Sequence, residues 1–225
     1  MKSPFLMPVV CLCAMHYSYG SSAQPFLKGK QEVAIGYGYY THEQALSSLG
    51  EEYGSGMTEF ENSILNNDVT YDVFGVGPMK LDNRRRSGAV FVNYYFTPES
   101  KFSIGIGGGF ESESADVVAY LPIIPNITFR HGSYTRRILT IAPEAKLFYN
   151  RNKRIRLYCL LGLGQSLVFE TAKSDYTGRS ASLTSNYWRF QLSPLGIMVG
   201  NRIRGFAELG VGYKGAVRVG ASYKF

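Results

Sequence analysis

Ala216-Val-Arg-Val-Gly-Ala-Ser-Tyr-Lys-Phe225 alternates to its last residue: Val217, Val219, Ala221, Tyr223 and Phe225 share one face, and Arg218, Gly220, Ser222 and Lys224 the other. That period of two belongs to a β-strand. A strand with one continuous apolar face and an aromatic end aggregates in water unless that face meets lipid and the strand closes a barrel. The run therefore predicts a membrane strand.

The beginning of the chain agrees with its end. Lys2 supplies a positive region, Phe5 to Met15 a short apolar core, and Ser21-Ser22-Ala23 a small-residue cleavage site before Gln24, the order of an export signal. The apolar stretch is about half the length of a spanning helix. Residues 1–23 are read as a signal peptide and 24–225 as the mature domain. Cys11 and Cys13 fall inside the signal without a lipoprotein context, so Cys159 is the one mature cysteine, read as an apolar strand residue.

About 200 mature residues suit one domain. The 17 Tyr, 14 Phe and 25 Gly fit alternating strands with aromatic girdles and small interior residues. Removing the signal takes away Lys2 alone, so the formal charge falls from +7 to +6. No phosphate-binding loop or metal-ligand cluster is present, and no cofactor or nucleic-acid partner is expected.

Eight segments alternate: Lys30 to Tyr40, Ser87 to Phe96, Lys101 to Phe110, Thr135 to Tyr149, Ile155 to Phe169, Tyr187 to Val199, Ile203 to Tyr213 and the terminal strand. Past Pro194 the apolar residues Leu195, Ile197 and Val199 change parity, which predicts a bulge. Tyr213 falls on the apolar face with Val211. Short polar links at Pro98 to Ser100, Asn150 to Lys153 and Gly200 to Arg202 read as periplasmic turns. Facing outside would be the links Thr41 to Arg86, Glu111 to Tyr134 and Thr171 to Asn186, and a tight Lys214-Gly215 turn.

The same period would suit a lipocalin-like soluble barrel with an apolar lumen. Lesser faces rich in Gly, Ser and charge, aromatics near strand ends, and unequal links at the two ends favour the membrane version. The predicted fold is all-β, an up-and-down antiparallel transmembrane β-barrel of 8 strands. Ten strands are the alternative, if Val69 to Phe74 within the long first link adds a hairpin.

The terminal strand resembles the C-terminal signature strand of Gram-negative outer-membrane barrels. The pattern over essentially the whole mature length is similar to the small outer-membrane β-barrel family, the porin-like and OmpA- or OmpW-type domains. The resemblance implies residence in the outer membrane of a Gram-negative bacterium, with Tyr223 and Phe225 as the signal read by the barrel assembly machinery. For OmpW-type barrels it also implies passage of hydrophobic solutes.

Interior charges are the first candidate site: Glu32, Glu144 and Glu208 share the lumen face with Arg136, Lys146, Arg156, Arg189, Arg204, Arg218 and Lys224. Eight strands enclose a space that side chains just fill. The set reads either as an ion-pair network sealing the lumen or as a narrow conduit favouring anions.

Charge also segregates at the outer end. Residues 42–79 carry Glu43, Glu51, Glu52, Glu59, Glu61, Asp68 and Asp72 with no Lys or Arg, and then Arg84-Arg85-Arg86 follows. With Arg130, Arg136 and Arg137 placed at the same level, Arg84, Arg85, Arg86, Arg130 and Arg137 form a candidate rim for lipopolysaccharide phosphates. Interfacial snorkelling is the equal alternative. The apolar link Val117 to Phe129 reads as a plug over the mouth or a docking site for an extracellular ligand.

His131-Gly-Ser133 resembles the His-x-Ser motif of lipid A deacylases, with Glu144 the nearby acid. On the strand's phase His131 and Ser133 face outward and Glu144 inward, so the triad does not close and no enzyme is expected. The expected function is an integral outer-membrane barrel whose extracellular loops serve surface interaction and envelope integrity. A porin-like passage for small anionic or hydrophobic solutes ranks second, and lipid A deacylation third.

Overall fold

A computed structural model describes residues 30–41, 79–99, 101–120, 128–150, 154–175, 178 and 180–225. The signal peptide, the acidic stretch after His42, the Val69 to Phe74 segment and residues 121–127 of the apolar link lie outside the described residues.

Nine strands are described: β1 (Lys30–Tyr39), β2 (Met79–Arg86), β3 (Ala89–Glu99), β4 (Phe102–Tyr120), β5 (Thr128–Phe148), β6 (Ile155–Ser174), β7 (Ser180–Gly200), β8 (Ile203–Gly212) and β9 (Val217–Lys224). Every pairing is antiparallel, and the ring closes where β1 meets β9, from Glu32 opposite Lys224 to Tyr39 opposite Val217. No strand in the closed ring leaves an edge bare at membrane level, as hydrocarbon requires.

Nine strands still make an eight-station ring, because β2 and β3 lie end to end on the same side of β4. Arg86 faces Glu113, and four residues later Val90 faces Phe110. The left-handed backbone of Asn83, at φ 50°, accompanies the register shift between Asp82 and Arg85. A second irregularity is the bulge predicted at Pro194: between Ser193 and Gly196, β7 carries one residue more than β6 can match. Pro194 has no N–H to give the ladder, and its carbonyl accepts a 2.7 Å hydrogen bond from the Tyr149 hydroxyl.

The outer links start later than the sequence suggests. Strands β4 to β7 are 19, 21, 20 and 21 residues long, against 10, 10 and 8 for β1, β8 and β9. Residues such as Ser112, Ser114, Tyr134, Thr171 and Ser182 are paired strand residues, not loop. Their alternation is hidden because both faces of a strand above the membrane are wetted and need no apolar period. About ten extra residues add roughly 30 Å of strand, so β2 and β4 to β7 rise beyond the rim as a curved wall.

Candidate functional site

Along each strand every second side chain enters the lumen, and this brings Glu32, Glu144 and Glu208 inside, with Glu111 on β4 accepting from the Thr41 hydroxyl at 2.7 Å. Glu32 on β1 accepts from Lys146 Nζ at 3.2 Å and Arg204 Nη1 at 2.9 Å. Glu144 on β5 accepts from the Asn93 amide at 2.9 Å and from the hydroxyls of Tyr95 and Tyr213, and forms an ion pair with Lys214. Glu208 on β8 accepts from the Tyr158 hydroxyl and pairs with Arg218. Charges so deeply buried are tolerated only when paired and hydrogen-bonded.

Aromatic rings fill the space between. Lys146 Nζ stands 3.5 Å from the centroid of Tyr95, Arg156 lies over Phe148 at 4.5 Å, and Arg218 over Phe91 at 4.8 Å, each a cation held on a ring face. Phe91, Tyr95, Tyr158, Leu160, Met198 and Phe206 form one packed cluster. Gly107 faces the Glu144 carboxyl so closely that a Cβ there would occupy its place. Arg189, the remaining lumen candidate, is buried too.

Arg136 stands apart from this network. It is half-buried higher up, paired with Glu170 at 3.1 Å, and Glu170 also accepts from Tyr134 at 3.0 Å. In this wall, burial and the Glu170 carboxylate push the Tyr134 hydroxyl above its usual range, so it stays a donor.

The five rim arginines do not share one level. Arg86 and Arg136 both neighbour Glu113, whereas Arg130 sits opposite Val118, farther up the wall. Arg86 is held by Glu113 at 3.0 Å, and Arg130 by Asp116 at 3.1 Å and Asp175 at 3.5 Å. Arg84, Arg85 and Arg137 are exposed. The apolar link is likewise strand at both ends, with Val117 and Val118 buried.

His131 faces inward, not outward. Val117 pairs with Gly132 and Val118 with Arg130, so His131 is an extra residue that turns the phase of β5. Glu144, thirteen residues on, is roughly 40 Å along the strand and is engaged by Lys214 and the tyrosines. His131, Ser133 and Glu144 are not brought together.

Outside, the residues opposite these charges are apolar. Ile35 and Leu163 are each 57% exposed and Trp188 72%, while Glu208 is 2% exposed and Glu144 4%. Tyr149, Tyr223 and Phe225 are exposed at the short-turn end, and Tyr39, Tyr187 and Trp188 at the other, the two girdles of a membrane barrel. A charged interior within an apolar, aromatic-edged exterior excludes the lipocalin-like arrangement. The chain is a transmembrane β-barrel of the bacterial outer-membrane type. No protein-family model matches it, and no curated protein is significantly similar. Among solved structures it is similar to Ail, the attachment invasion locus protein of Yersinia pestis, at 14% identity and a TM-score of 0.40 over 88% of this chain and 100% of that one. A structure of Ail in complex with the heparin analogue sucrose octasulfate matches at 12% identity and a TM-score of 0.41, with the same coverage. At that level of similarity nothing about function passes from Ail to this chain.

Two central groups escape a reading by alternation. Gly212, at φ 140°, breaks the phase of β8, so Tyr213 turns inward to Glu144 instead of joining Val211 on the lipid face. Lys214 is fully buried although it lies in the four-residue link from Tyr213 to Ala216. Its backbone N–H donates to Gln191 Oε1 at 2.8 Å. The one available signal was Gly212 and Gly215 bracketing the pair.

Proposed function

We propose that the protein is a sealed barrel in the outer membrane of a Gram-negative bacterium, whose working surface is the wall standing outside the cell. The observation that carries sealing is that Glu32, Glu144 and Glu208 are each held by at least two groups from elsewhere in the ring. Opening a path would strand buried charges, at several kcal/mol each. The wall supports surface interaction and envelope integrity. A β-sheet paired over most of its length holds a binding surface more rigidly than a loop does, and the exposed Arg84, Arg85 and Arg137 suit lipopolysaccharide phosphates. Tyr223 and Phe225 would be the residues read by the assembly machinery.

One observation favours a second reading, passage of small anions: among the described buried residues Lys146, Arg156, Arg189, Arg204, Lys214 and Arg218 outnumber Glu32, Glu111, Glu144, Glu170 and Glu208 by one. Against hydrophobic solutes, the apolar groups of the lumen are packed on one another, and lipid A deacylation has no assembled triad. Planar-bilayer recording separates sealing from passage, because a sealed lumen gives no steady openings.

A further inference from the structure

At the short-turn end the lumen opens into a pocket of about 370 Å³ lined by Lys30, Arg156, Arg202, Arg204 and Lys224, with Asn201 beside them. Five side chains are cationic and no acidic side chain lines the space, while Phe225 completes the wall and its terminal carboxylate offsets one of the five charges. At about 30 Å³ per water, the volume accommodates a phosphate group with its hydration.

Like charges at the rim of a barrel can be held apart by solvent, and the exposure of Lys30 and Arg202 fits that simple account. Arg156 does not fit it. It is nine-tenths buried at the floor of the pocket, its guanidinium over the Phe148 ring at 4.5 Å. Its Nε–H is closed off from solvent with no acceptor among the described residues, and Arg156 meets the pocket through the rest of its side chain. A buried donor on a permanent cation is expensive to leave unmatched. Arg204 cannot lend its carboxylate, since Glu32 is shared with Lys146. Guanidinium groups recognise tetrahedral oxyanions through parallel N–H donors, while ammonium groups add point charge, and both kinds converge here.

We infer that this pocket binds a phosphate-bearing anion from the periplasmic side, with Arg156 donating at the floor and Arg202, Lys224 and Lys30 closing round it. The site lies at the opposite end from the wall and does not depend on the function proposed for it.

The test is calorimetric titration of inorganic phosphate into the full chain folded in zwitterionic detergent, at constant ionic strength set with chloride. Wild type should bind saturably at one site. Arg156→Gln should weaken binding about tenfold, the loss of one charge-assisted donor. Arg202→Gln, at an exposed position that folding tolerates, should weaken it several-fold. Lys173→Gln removes the same charge on the outer wall and should change nothing. Absence of saturable binding, or equal binding by wild type, Arg156→Gln and Arg202→Gln, overturns the inference. Repeating the titration in phosphatidylcholine discs with and without phosphatidylglycerol identifies the source. Competition by the anionic lipid assigns the site to a headgroup, and undiminished binding assigns it to a soluble phosphate.

Discussion

Lys214, carried on the turn between β8 and β9, forms an ion pair with Glu144 of β5 inside the barrel, and the two are 0% and 4% exposed. The turn between the last two strands is thereby tied across the lumen to a strand that is not its neighbour. Removing either partner leaves a buried charge unmatched, so Lys214→Met and Glu144→Gln should each lower stability by about 3 kcal/mol. The double substitution should cost clearly less than the sum, because it leaves no orphaned charge. Reversible urea unfolding in lipid vesicles measures all three, and additive losses would show that the pair is not coupled.

Gly38 on β1 faces the Lys214 carbonyl so closely that a Cβ would overlap it. Gly38→Ala should displace the turn and destabilise the barrel by about 1–3 kcal/mol, the range for overpacking. In a Lys214→Met background the loss should shrink, since the displaced ammonium is no longer there to lose its partner. The same unfolding assay reads the difference.

Ile35 sits mid-strand on the lipid face, flanked by Val92 and Ala221. An arginine there should cost about 2–4 kcal/mol, as expected for a charge near the bilayer midplane. Ser182→Arg, on the exposed face of the wall, should change stability by less than about 0.5 kcal/mol. Equal effects at the two positions would remove the distinction between lipid belt and wetted wall.

At the outer rim, Arg84, Arg85 and Arg137 are exposed whereas Arg86 is engaged by Glu113. Reversing the first three to glutamate should reduce co-purifying lipopolysaccharide several-fold without lowering folded yield. Arg86→Glu sets two carboxylates face to face and should act mainly on stability. Unchanged lipopolysaccharide in the triple variant would reduce the rim to interfacial snorkelling.

Alternation revealed the architecture because it is enforced wherever one face meets lipid. Val33, Ile35 and Tyr37 opposite Glu32, Ala34 and Gly36 leave no other register. The Pro194 bulge was legible for the same reason, as a change of parity in an otherwise strict pattern. Above the membrane that constraint disappears, and the upper ends of β4 to β7 read as loop although they are paired strand. Phase failed at two particular places: the extra residue His131, which nothing in the composition of β5 announces, and Gly212, after which Tyr213 and Lys214 leave the strand and enter the lumen. The lumen carboxylates were therefore identifiable from spacing, while two of the four groups that hold Glu144 were not.

Sealing of the lumen by this network is the central claim, and planar-bilayer recording of the purified full chain tests it most directly. Wild type should give no steady openings at either polarity, and Glu144→Ala or Arg218→Ala should introduce them by breaking the network. Stable wild-type conductance, shifted in size or ion selectivity by substituting Arg204 or Glu208, would contradict the claim and establish passage instead.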